Sequence, residues 1–388
     1  MSVSLRLERD SPAALYQQIA DQFKDQISNN RLPAGARLPT IRRLANDLGV
    51  TRVTVQNAYD ELRADGWIEA TTGRGTFVSE RVNSRATLRS ASQPVTPDAV
   101  ISDMLQINEI VGLRSLASAS PDPHLFPADE FWGVLAELRD DAATMAMYGA
   151  SQGAPALRVA LADLLRERAV DAAPDEILVT AGVTQGLALV TQALCRPGDV
   201  VLVEQPTYVG FLHTLKAQGV HAVAVPLDED GPQVDALERL AAQHRPRFFY
   251  TIPTFQNPTG VTQSPARRRT LLAAAQRYGF LVVEDDLYAC VAYDQAPPPP
   301  LFAEDDSGSV VYVSSFSKSL MPGLRIGYMV APAPLHSKLL SLRRAHDLCS
   351  PTLLQHALAR FLAGGGLKKH LRRVLPLYRE RRDAYLAA

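Results

Sequence analysis

One stretch decides the fold of this chain: Val310-Val-Tyr-Val-Ser-Ser-Phe-Ser-Lys318-Ser-Leu-Met-Pro-Gly-Leu-Arg325-Ile-Gly-Tyr328. It opens with β-branched and aromatic residues, a pattern that predicts a strand. Pro322 and Gly323 then predict a turn, and a second short apolar strand follows Arg325. Serines flank one lysine, Lys318, between the two predicted strands. A charged residue in such apolar surroundings needs a physical explanation.

Lys318 is a lysine in apolar surroundings. Burial disfavours the ammonium form and lowers its pKa, so a buried lysine becomes a nucleophile that can form a Schiff base. The hydroxyls of Ser315 and Ser317 and the guanidinium of Arg325 would suit a phosphate. Lysine with phosphate ligands indicates pyridoxal phosphate (PLP). An ordinary buried strand with a lysine at its exposed end explains this stretch about as well, so both interpretations stay open here.

Length and composition limit the possible classes of protein. The chain has 388 residues, enough for about two or three domains. Hydrophobic residues make up 46% and charged residues 21%, the balance of a globular protein with a sizeable core. The net charge of −1 gives no global sign of nucleic-acid binding, so any such site must be local.

Cysteine use and the N-terminus indicate a compartment. Three cysteines lie far apart, which favours a reducing environment over a disulfide framework or a zinc site. The histidines form no cluster with metal-ligand spacing. The N-terminus lacks the apolar segment of a signal peptide, and no apolar run is long enough to span a membrane. We therefore expect a cytoplasmic protein with no metal site and no membrane partner.

The first eighty residues predict three helices followed by a hairpin. Thr40 and Thr51 are cap residues in front of the second and third helices, and Gly49 marks the tight turn between them. Helix, short turn and helix is the helix-turn-helix pattern. The hairpin tip carries Arg74. Polar residues in the first turn of the third helix are donors suited to phosphates and base edges.

This segment resembles the winged helix-turn-helix of the GntR family, over roughly residues 11–79. The matching motifs are Leu15-Tyr16-Gln17-Gln18-Ile19, Leu38-Pro39-Thr40-Ile41-Arg42, Leu48-Gly49-Val50-Thr51-Arg52-Val53-Thr54-Val55 and Gly73-Arg74-Gly75-Thr76-Phe77-Val78. The resemblance implies binding to double-stranded operator DNA through Arg42, Thr51, Arg52, Thr54, Gln56 and Arg74. A small helical dimerisation domain with solvated arginines is the alternative.

The chain divides into three predicted parts. Residues 1–80 form the DNA-binding domain, and residues 81–112 form a linker. The linker is rich in Ser, Thr, Arg, Pro and Ala and poor in large apolar residues, which is typical of an exposed connector. Residues 113–388 form a large domain in which continuous apolar strands alternate with helices. That pattern predicts a mainly parallel α/β sheet covered on both faces.

Polar residues follow the predicted strands of the large domain, at the edge where such sheets bind ligands. Gly182-Val183-Thr184 begins a helix after one strand, and its free N–H groups favour a phosphate. Tyr208 follows a second strand and could stack on a cofactor. Asn257 follows a third, and Asp285 follows a fourth, predicted to end at Glu284. Since Asp285 and Asp286 point to opposite faces of the sheet, they are not expected to form a catalytic dyad.

In this order, and with Lys318 and Arg325, the set resembles the class I/II aminotransferases of PLP fold type I, over roughly residues 115–388. The resemblance implies that Lys318 forms the Schiff base with PLP and that Asp285 keeps the pyridine nitrogen protonated. It assigns Tyr288 and Asn257 to the phenolic oxygen of the ring and Tyr208 to stacking on the ring. The implied phosphate ligands are Val183, Thr184, Ser315, Ser317 and Arg325. Tyr148 matches a tyrosine that reaches the partner subunit's phosphate, which implies a homodimer.

A GntR-type reader, a linker and an aminotransferase-like domain in one chain resemble the MocR family of PLP-dependent transcriptional regulators. Two features depart from the family pattern. The small C-terminal domain, which supplies the arginine for the substrate carboxylate, is expected to be truncated here. Gly210 stands where a family member that senses a γ-amino acid has an arginine, so that ligand is not predicted. We expect one set of residues to lie on a solvated helical face: Arg372, Arg373, Arg379, Arg381 and Arg382.

Three functions remain open from the sequence. The first is a transcription factor that senses an amino acid or amine through a Schiff base at the Lys318 site. The second is a working aminotransferase, acting on an amino acid and a 2-oxo acid, with an accessory DNA-binding domain. The third is an inactive fragment that binds DNA through residues 1–79 alone. The DNA reader favours the first over the second.

Overall fold

The computed structural model describes residues 5, 7–9, 14–28, 31–71, 75–79 and 119–388. Contacts divide the chain into two compact units, residues 1–119 and 120–388. The linker predicted at residues 81–112 and the hairpin-tip residue Arg74 lie outside the described residues. Within the described ranges, no helix is both long and apolar enough to cross a membrane.

The described residues of the first unit form three helices and a two-stranded antiparallel hairpin, as the sequence predicts for residues 1–80. Its elements are α1 (Leu15–Ser28), α2 (Ile41–Leu48), α3 (Arg52–Ala64), β1 (Ile68–Thr71) and β2 (Gly75–Val78). Thr40 caps α2 by accepting a hydrogen bond from the Arg43 N–H, and Thr51 caps α3 through the Thr54 N–H. Gly49, with φ 63°, ends α2 in the left-handed conformation that glycine adopts readily.

The core of this unit explains how the hairpin and the helices hold together. Phe23 of α1 meets Tyr59 of α3 edge to face, with ring centroids 5.9 Å apart. The Tyr59 hydroxyl donates to the Pro39 carbonyl at 2.8 Å. Trp67 and Ile68, at the start of the hairpin, are buried in the same cluster. These aromatic residues therefore build the core and leave the outer face of α3 to other side chains.

The second unit is an eight-stranded sheet with helices around it. Its helices are α4 (Ala128–Glu137), α5 (Ala142–Met145), α6 (Pro155–Arg166), α7 (Val183–Leu194), α8 (Val209–Ala217), α9 (Val234–His244), α10 (Pro265–Tyr278), α11 (Leu301–Glu304), α12 (Ala333–Asp347), α13 (Thr352–Ala363) and α14 (Gly366–Ala387). Its strands are β3 (Ile177–Thr180), β4 (Val200–Gln205), β5 (His221–Asp228), β6 (Gly231–Pro232), β7 (Phe248–Thr251), β8 (Leu281–Asp285), β9 (Val310–Ser315) and β10 (Gly327–Val330).

The strand order of the sheet is β3-β10-β9-β8-β7-β4-β5-β6. Strands β5, β4, β7, β8 and β9 run parallel, while β10 runs antiparallel to both of its neighbours and β6 antiparallel to β5. Two successive antiparallel pairings give β3 the direction of β9. The carboxyl ends of β3, β4, β7, β8 and β9 therefore meet at one edge, where α/β sheets bind their ligands.

Apolar residues cover both faces of the sheet. One buried cluster joins β3 and β9 to α6 and α13, and a second joins the central strands to α7 and α12. A third lies between the sheet and helices α9 and α10. The prediction of a mainly parallel α/β sheet is therefore correct. The sheet extends beyond the predicted strands through β5 and β6.

The arginines of α14 do more than the sequence indicates. Arg379 and Arg382 both form ion pairs with Asp294, and Arg381 pairs with Asp122 at 2.7 Å. Arg373 donates to the Leu125 carbonyl at 2.6 Å. The expected solvated face is thus exposed in part, but these side chains also connect α14 to distant segments of the large domain.

Candidate functional site

The carboxyl edge of the sheet gathers most of the predicted site residues. Asp285 is the last residue of β8, and Tyr208 follows β4. Asn257 lies in the loop after β7. Lys318 lies in the turn between β9 and β10, three residues after β9 ends at Ser315.

Lys318 and Asp285 are two ionisable groups at this edge, and each has a shifted pKa. Asp285 is 2% exposed, and burial raises the pKa of its carboxyl to about 7, against the lowering effect of a hydrogen bond from Tyr250. Burial also lowers the pKa of Lys318, and the nearby charge of Asp285 opposes that shift. A lysine with a lowered pKa is more often unprotonated at neutral pH, so it can attack the carbonyl carbon of an aldehyde and form a Schiff base.

The neighbouring carboxylates Asp285 and Asp286 face opposite sides of the sheet, as strand alternation predicts. Asp285 accepts from the Tyr250 hydroxyl at 2.8 Å. Asp286 accepts from the Tyr312 hydroxyl at 3.0 Å and pairs with Arg168 at 3.4 Å. Each carboxylate therefore belongs to a separate network, and they do not form a catalytic pair.

A turn between β3 and α7 forms a cradle beside Arg325. Gly182, with φ 94°, precedes the first residue of α7, and a Cβ placed there would lie 3.0 Å from Nη2 of Arg325. The same nitrogen donates to the Ala181 carbonyl at 3.0 Å. Arg325 itself has φ 50°, a left-handed conformation that is costly for a residue with a side chain and that concentrates at functional sites.

The remaining predicted phosphate ligands lie at the start of α7 and at or just after the end of β9. Val183 and Thr184 are the first residues of α7, where N–H groups have no partner within the helix. In the turn after β9, the Ser317 N–H donates to Oγ of Ser315 at 3.3 Å. A helix N-terminus, two hydroxyls and a guanidinium are a donor set suited to a phosphate dianion.

Asn257, Tyr288 and Tyr208 lie together above the edge. Nδ2 of Asn257 donates to the Tyr288 hydroxyl at 3.3 Å. Burial raises the pKa of Tyr288 to about 12, and the charges of Asp285 and Tyr208 act in the same direction. Tyr208 packs over the start of α8, where a Cβ on Gly210 would lie 2.3 Å from its ring. A side chain at position 210 would therefore displace the Tyr208 ring.

Tyr148 lies apart from these residues. Its side chain is 87% exposed, and the adjacent Met147 is 71% exposed. Thr352 of α13 lies next to this backbone: it donates to the Met147 carbonyl at 3.4 Å, and a Cβ placed on Gly149 would lie 2.9 Å from its hydroxyl. This loop thus presents the large side chains of Met147 and Tyr148 to solvent.

Sequence reasoning missed three residues that support the site. Tyr250 bonds to Asp285 from the adjacent strand β7. Gln185 accepts from the Ala181 N–H at 2.8 Å and donates to Asp347, which ties the cradle to α12. The fully buried Arg268 donates to the Pro253 and Pro299 carbonyls, so it fixes the loop that leads to Asn257. The position of Gln185 in the first turn of α7 is visible in the sequence. The Tyr250–Asp285 contact is not, because it depends on the register in which β7 pairs with β8.

The outer face of α3 and the start of α2 carry the predicted DNA contacts. Arg42 and Arg52 are exposed. The Thr51 and Thr54 hydroxyls lie 2.9 Å apart, so both take part in the cap of α3. Gln56 donates to Asp60 at 2.9 Å. Arg37, which the sequence did not indicate, lies against Gly75 at the start of β2, with its Nε 3.0 Å from a Cβ placed there.

The comparisons with known proteins agree with this architecture. Residues 15–78 match the family of bacterial regulatory proteins, gntR family, and residues 122–385 match aminotransferase class I and II. The HTH-type transcriptional regulator YisV of Bacillus subtilis is 31% identical over 388 residues, covering 97% of this chain and 79% of the relative. The probable rhizopine catabolism regulatory protein MocR of Rhizobium meliloti is 31% identical, covering 99% of this chain and 78% of the relative.

A solved structure supports the fold of the large domain. The kynurenine aminotransferase of Pyrococcus horikoshii, solved with PMP, superposes with a TM-score of 0.70 at 34% identity, covering 77% of this chain and 76% of that one. The chain is therefore a GntR-type DNA-binding regulator fused to a PLP-dependent aminotransferase-like domain. It belongs to the MocR family, in which regulators have this architecture.

Proposed function

We propose that this protein is a transcriptional regulator that binds operator DNA through its winged helix and senses an amino acid or amine at Lys318. One observation carries the proposal. The lysine, the buried carboxylate and the phosphate cradle are all present at one sheet edge, in a chain whose first unit is a DNA reader. We propose the domain boundaries 1–80, 81–112 and 113–388, which the two family matches support.

The described residues fit PLP. At Gly182 a side chain would crowd the guanidinium of Arg325, since a Cβ there would lie 3.0 Å from its Nη2. Oδ1 of Asp285 is buried and has no hydrogen-bond partner among the described residues, and a buried carboxylate oxygen calls for a donor. When bound, PLP supplies an aldehyde carbon that amines attack and a ring that withdraws electrons.

Each residue has a proposed task toward that group. The phosphate would be bound by Arg325, by the hydroxyls of Ser315 and Ser317, and by the N-terminus of α7 at Val183 and Thr184. Asp285 would hold a proton at the ring nitrogen, and Asn257 with Tyr288 would hydrogen-bond the phenolic oxygen. Tyr208 would cover the ring and exclude water. Lys318, with its lowered pKa, would be the amine that the incoming effector replaces.

We also propose that the protein acts as a homodimer in the cytoplasm. The exposed loop with Met147 and Tyr148 would reach the phosphate site of a second copy, the role that the family resemblance gives to Tyr148. An operator-binding protein must meet DNA, which supports the cytoplasmic location. DNA contacts are proposed for Arg42, Thr51, Arg52, Thr54 and Gln56.

A working aminotransferase is the second candidate. The site residues favour neither function over the other, since a sensor and an enzyme need the same lysine, carboxylate and cradle. The similarity to an aminotransferase structure over three quarters of the chain supports this second function.

One experiment separates the two functions. The full chain is loaded with PLP, and DNA duplexes are selected by it from a random library. Binding to these duplexes is then measured by fluorescence anisotropy with a panel of amino acids and amines, while 2-oxo acid formation is followed in the same samples. We expect one class of amine to change the DNA affinity without turnover. Turnover at an ordinary enzymatic rate of ~1–10³ s⁻¹, with unchanged DNA affinity, would favour the aminotransferase.

Arg325→Lys should weaken PLP binding by about tenfold, because a point charge replaces a fork that binds phosphate through two nitrogens. PLP affinity is measured by equilibrium dialysis. Arg245→Lys is the matched control, since Arg245 also has a positive φ, of 46°, but lies at the end of α9. Equal PLP affinity in the wild type and Arg325→Lys would remove Arg325 from the phosphate site.

A further inference from the structure

Tyr250 and Asp285 form a buried pair across strands β7 and β8. The Tyr250 hydroxyl donates to Oδ2 of Asp285 at 2.8 Å, and Tyr250 is 0% exposed. Oδ1 of the same carboxylate is buried and has no hydrogen-bond partner among the described residues. One oxygen is therefore fixed by the protein, while the other remains available to a donor in the site.

The hydroxyl of Tyr250 is not needed for packing. Tyr250 lies in an apolar cluster, with its ring 4.3 Å from the ring of Phe211 and Phe248 nearby. A phenylalanine would keep these ring contacts and lack only the hydroxyl. Burial and the charge of Asp285 hold the pKa of Tyr250 well above its ordinary value, so the hydroxyl stays a donor at every physiological pH.

We propose that Tyr250 is a positioning residue for the cofactor: its hydroxyl orients Asp285 and keeps it ionised, so that Oδ1 can hold the proton of the PLP ring nitrogen. This inference rests on the cofactor site of the proposed function. Donation to a carboxylate favours the ionised form. Loss of the donor therefore raises the proton affinity of Asp285, and the proton shared with the ring nitrogen moves toward the carboxylate.

A second buried pair in the same sheet provides the comparison. Tyr312 on β9 donates to Asp286 at 3.0 Å, on the opposite face. Asp286 also pairs with Arg168, so its charge is already balanced within the protein. The two pairs share their chemistry and burial, but only Tyr250 acts on the carboxylate that faces Lys318.

The test replaces Tyr250 by phenylalanine in the full chain, loaded with PLP that carries ¹⁵N in the ring. The ¹⁵N chemical shift reports protonation of the ring nitrogen, and equilibrium dialysis gives the PLP affinity. We expect the Tyr250→Phe signal to move toward the unprotonated value and PLP binding to weaken by about tenfold, the scale of a hydrogen bond to a charged group. Tyr312→Phe should leave both readouts as in the wild type.

Site-specific 3-fluorotyrosine at position 250 covers the case in which Tyr250→Phe does not fold. Its more acidic hydroxyl is a stronger donor, so the ¹⁵N signal should move toward the protonated value with little change in packing. Unchanged ¹⁵N shifts in both variants, or equal shifts in Tyr312→Phe, would overturn the role of Tyr250. These readouts need bound PLP only, so an absent effector response would refute the sensor function and not this proposal. Failure of the wild type to bind PLP would refute both.

A second inference comes independently from α3. Val53 is 66% exposed, whereas Val55, Ala58, Tyr59 and Leu62 of the same helix are buried. An exposed valine gains neither packing nor helix propensity. It lies next to Arg52 in the first turn, the part of a recognition helix that meets base edges in the major groove. There the thymine methyl is the group that takes an apolar contact.

The position and chemistry of Val53 point to a contact with one thymine methyl of the operator. The probe is a duplex selected from a random library by the full chain, in which each thymine is replaced in turn by uracil. One replacement should weaken wild-type binding by about fourfold, the value of one buried methyl group. Val53→Ala should be insensitive to the same replacement. If no replacement affects the wild type more than Val53→Ala, the contact does not exist.

Discussion

Lys318→Ala should abolish the absorbance band that a Schiff base at Lys318 would give to the PLP-loaded protein. In the proposed site the Lys318 amine would be joined to the aldehyde carbon of PLP, and alanine has no nitrogen for this bond. Lys318 is half-buried beside Asp285, and burial lowers its pKa, so its amine is suited to this bond at neutral pH. The measurement is the absorption spectrum of purified protein with added PLP, after removal of the free cofactor.

Lys338→Ala is the matched control for this experiment. Lys338 is an exposed lysine of α12, away from the carboxyl edge of the sheet. It should keep the spectrum of the wild type, including any change that an amine effector produces. An unchanged band in Lys318→Ala would refute the assignment of Lys318, and loss of the band in both variants would indicate a general loss of the fold.

The strand-end residues could be predicted because their positions follow from the sequence alone. Parallel strands are continuous apolar runs, and their carboxyl ends share an edge once connected by helices. Asp285 and Tyr208 are therefore identified by counting from the ends of their strands. The cap residues Thr40 and Thr51 are equally local, because a helix N-terminus depends on its first turn.

Other features depend on which strands become neighbours. The Tyr250–Asp285 bond exists because β7 pairs with β8 in a register that places Tyr250 opposite Val283. The insertion of the antiparallel β10 between β3 and β9 brings Gly327 against Gly182. Gly327 thus packs against the cradle, and this contact could not be predicted because it depends on the pairing of β10 with β3.

Ion pairs between residues far apart in the chain could not be predicted from the sequence either. Arg382 and Asp294 are 88 residues apart in sequence and meet only because α14 packs beside the loop after β8. Periodicity shows that Arg382 lies on the polar side of a helix, but it does not show what that side contacts. The same holds for Arg268, whose burial could not be told from its neighbours Arg267 and Arg269.

Arg52→Ala should weaken binding to selected DNA by about 1–3 kcal/mol, or roughly fivefold to 150-fold, if Arg52 reads a base. Arg52 is the first residue of α3 and is exposed beside the Thr51 cap, the position from which a recognition helix enters the major groove. Affinity is measured by fluorescence anisotropy at several salt concentrations. Arg63→Ala is the matched control, since Arg63 lies at the far end of α3 and pairs with Asp60 at 3.0 Å.

The salt series distinguishes two ways in which Arg52 could act. An arginine that binds a base gives selectivity, so its loss should relax the preference at one position of the selected DNA. An arginine that binds only phosphate should weaken all duplexes alike and reduce the slope of log affinity against log salt by about one. Arg52→Ala with wild-type affinity at every salt concentration would exclude Arg52 from the interface. The outer face of α3 would then meet DNA through Val53 and the residues beyond it.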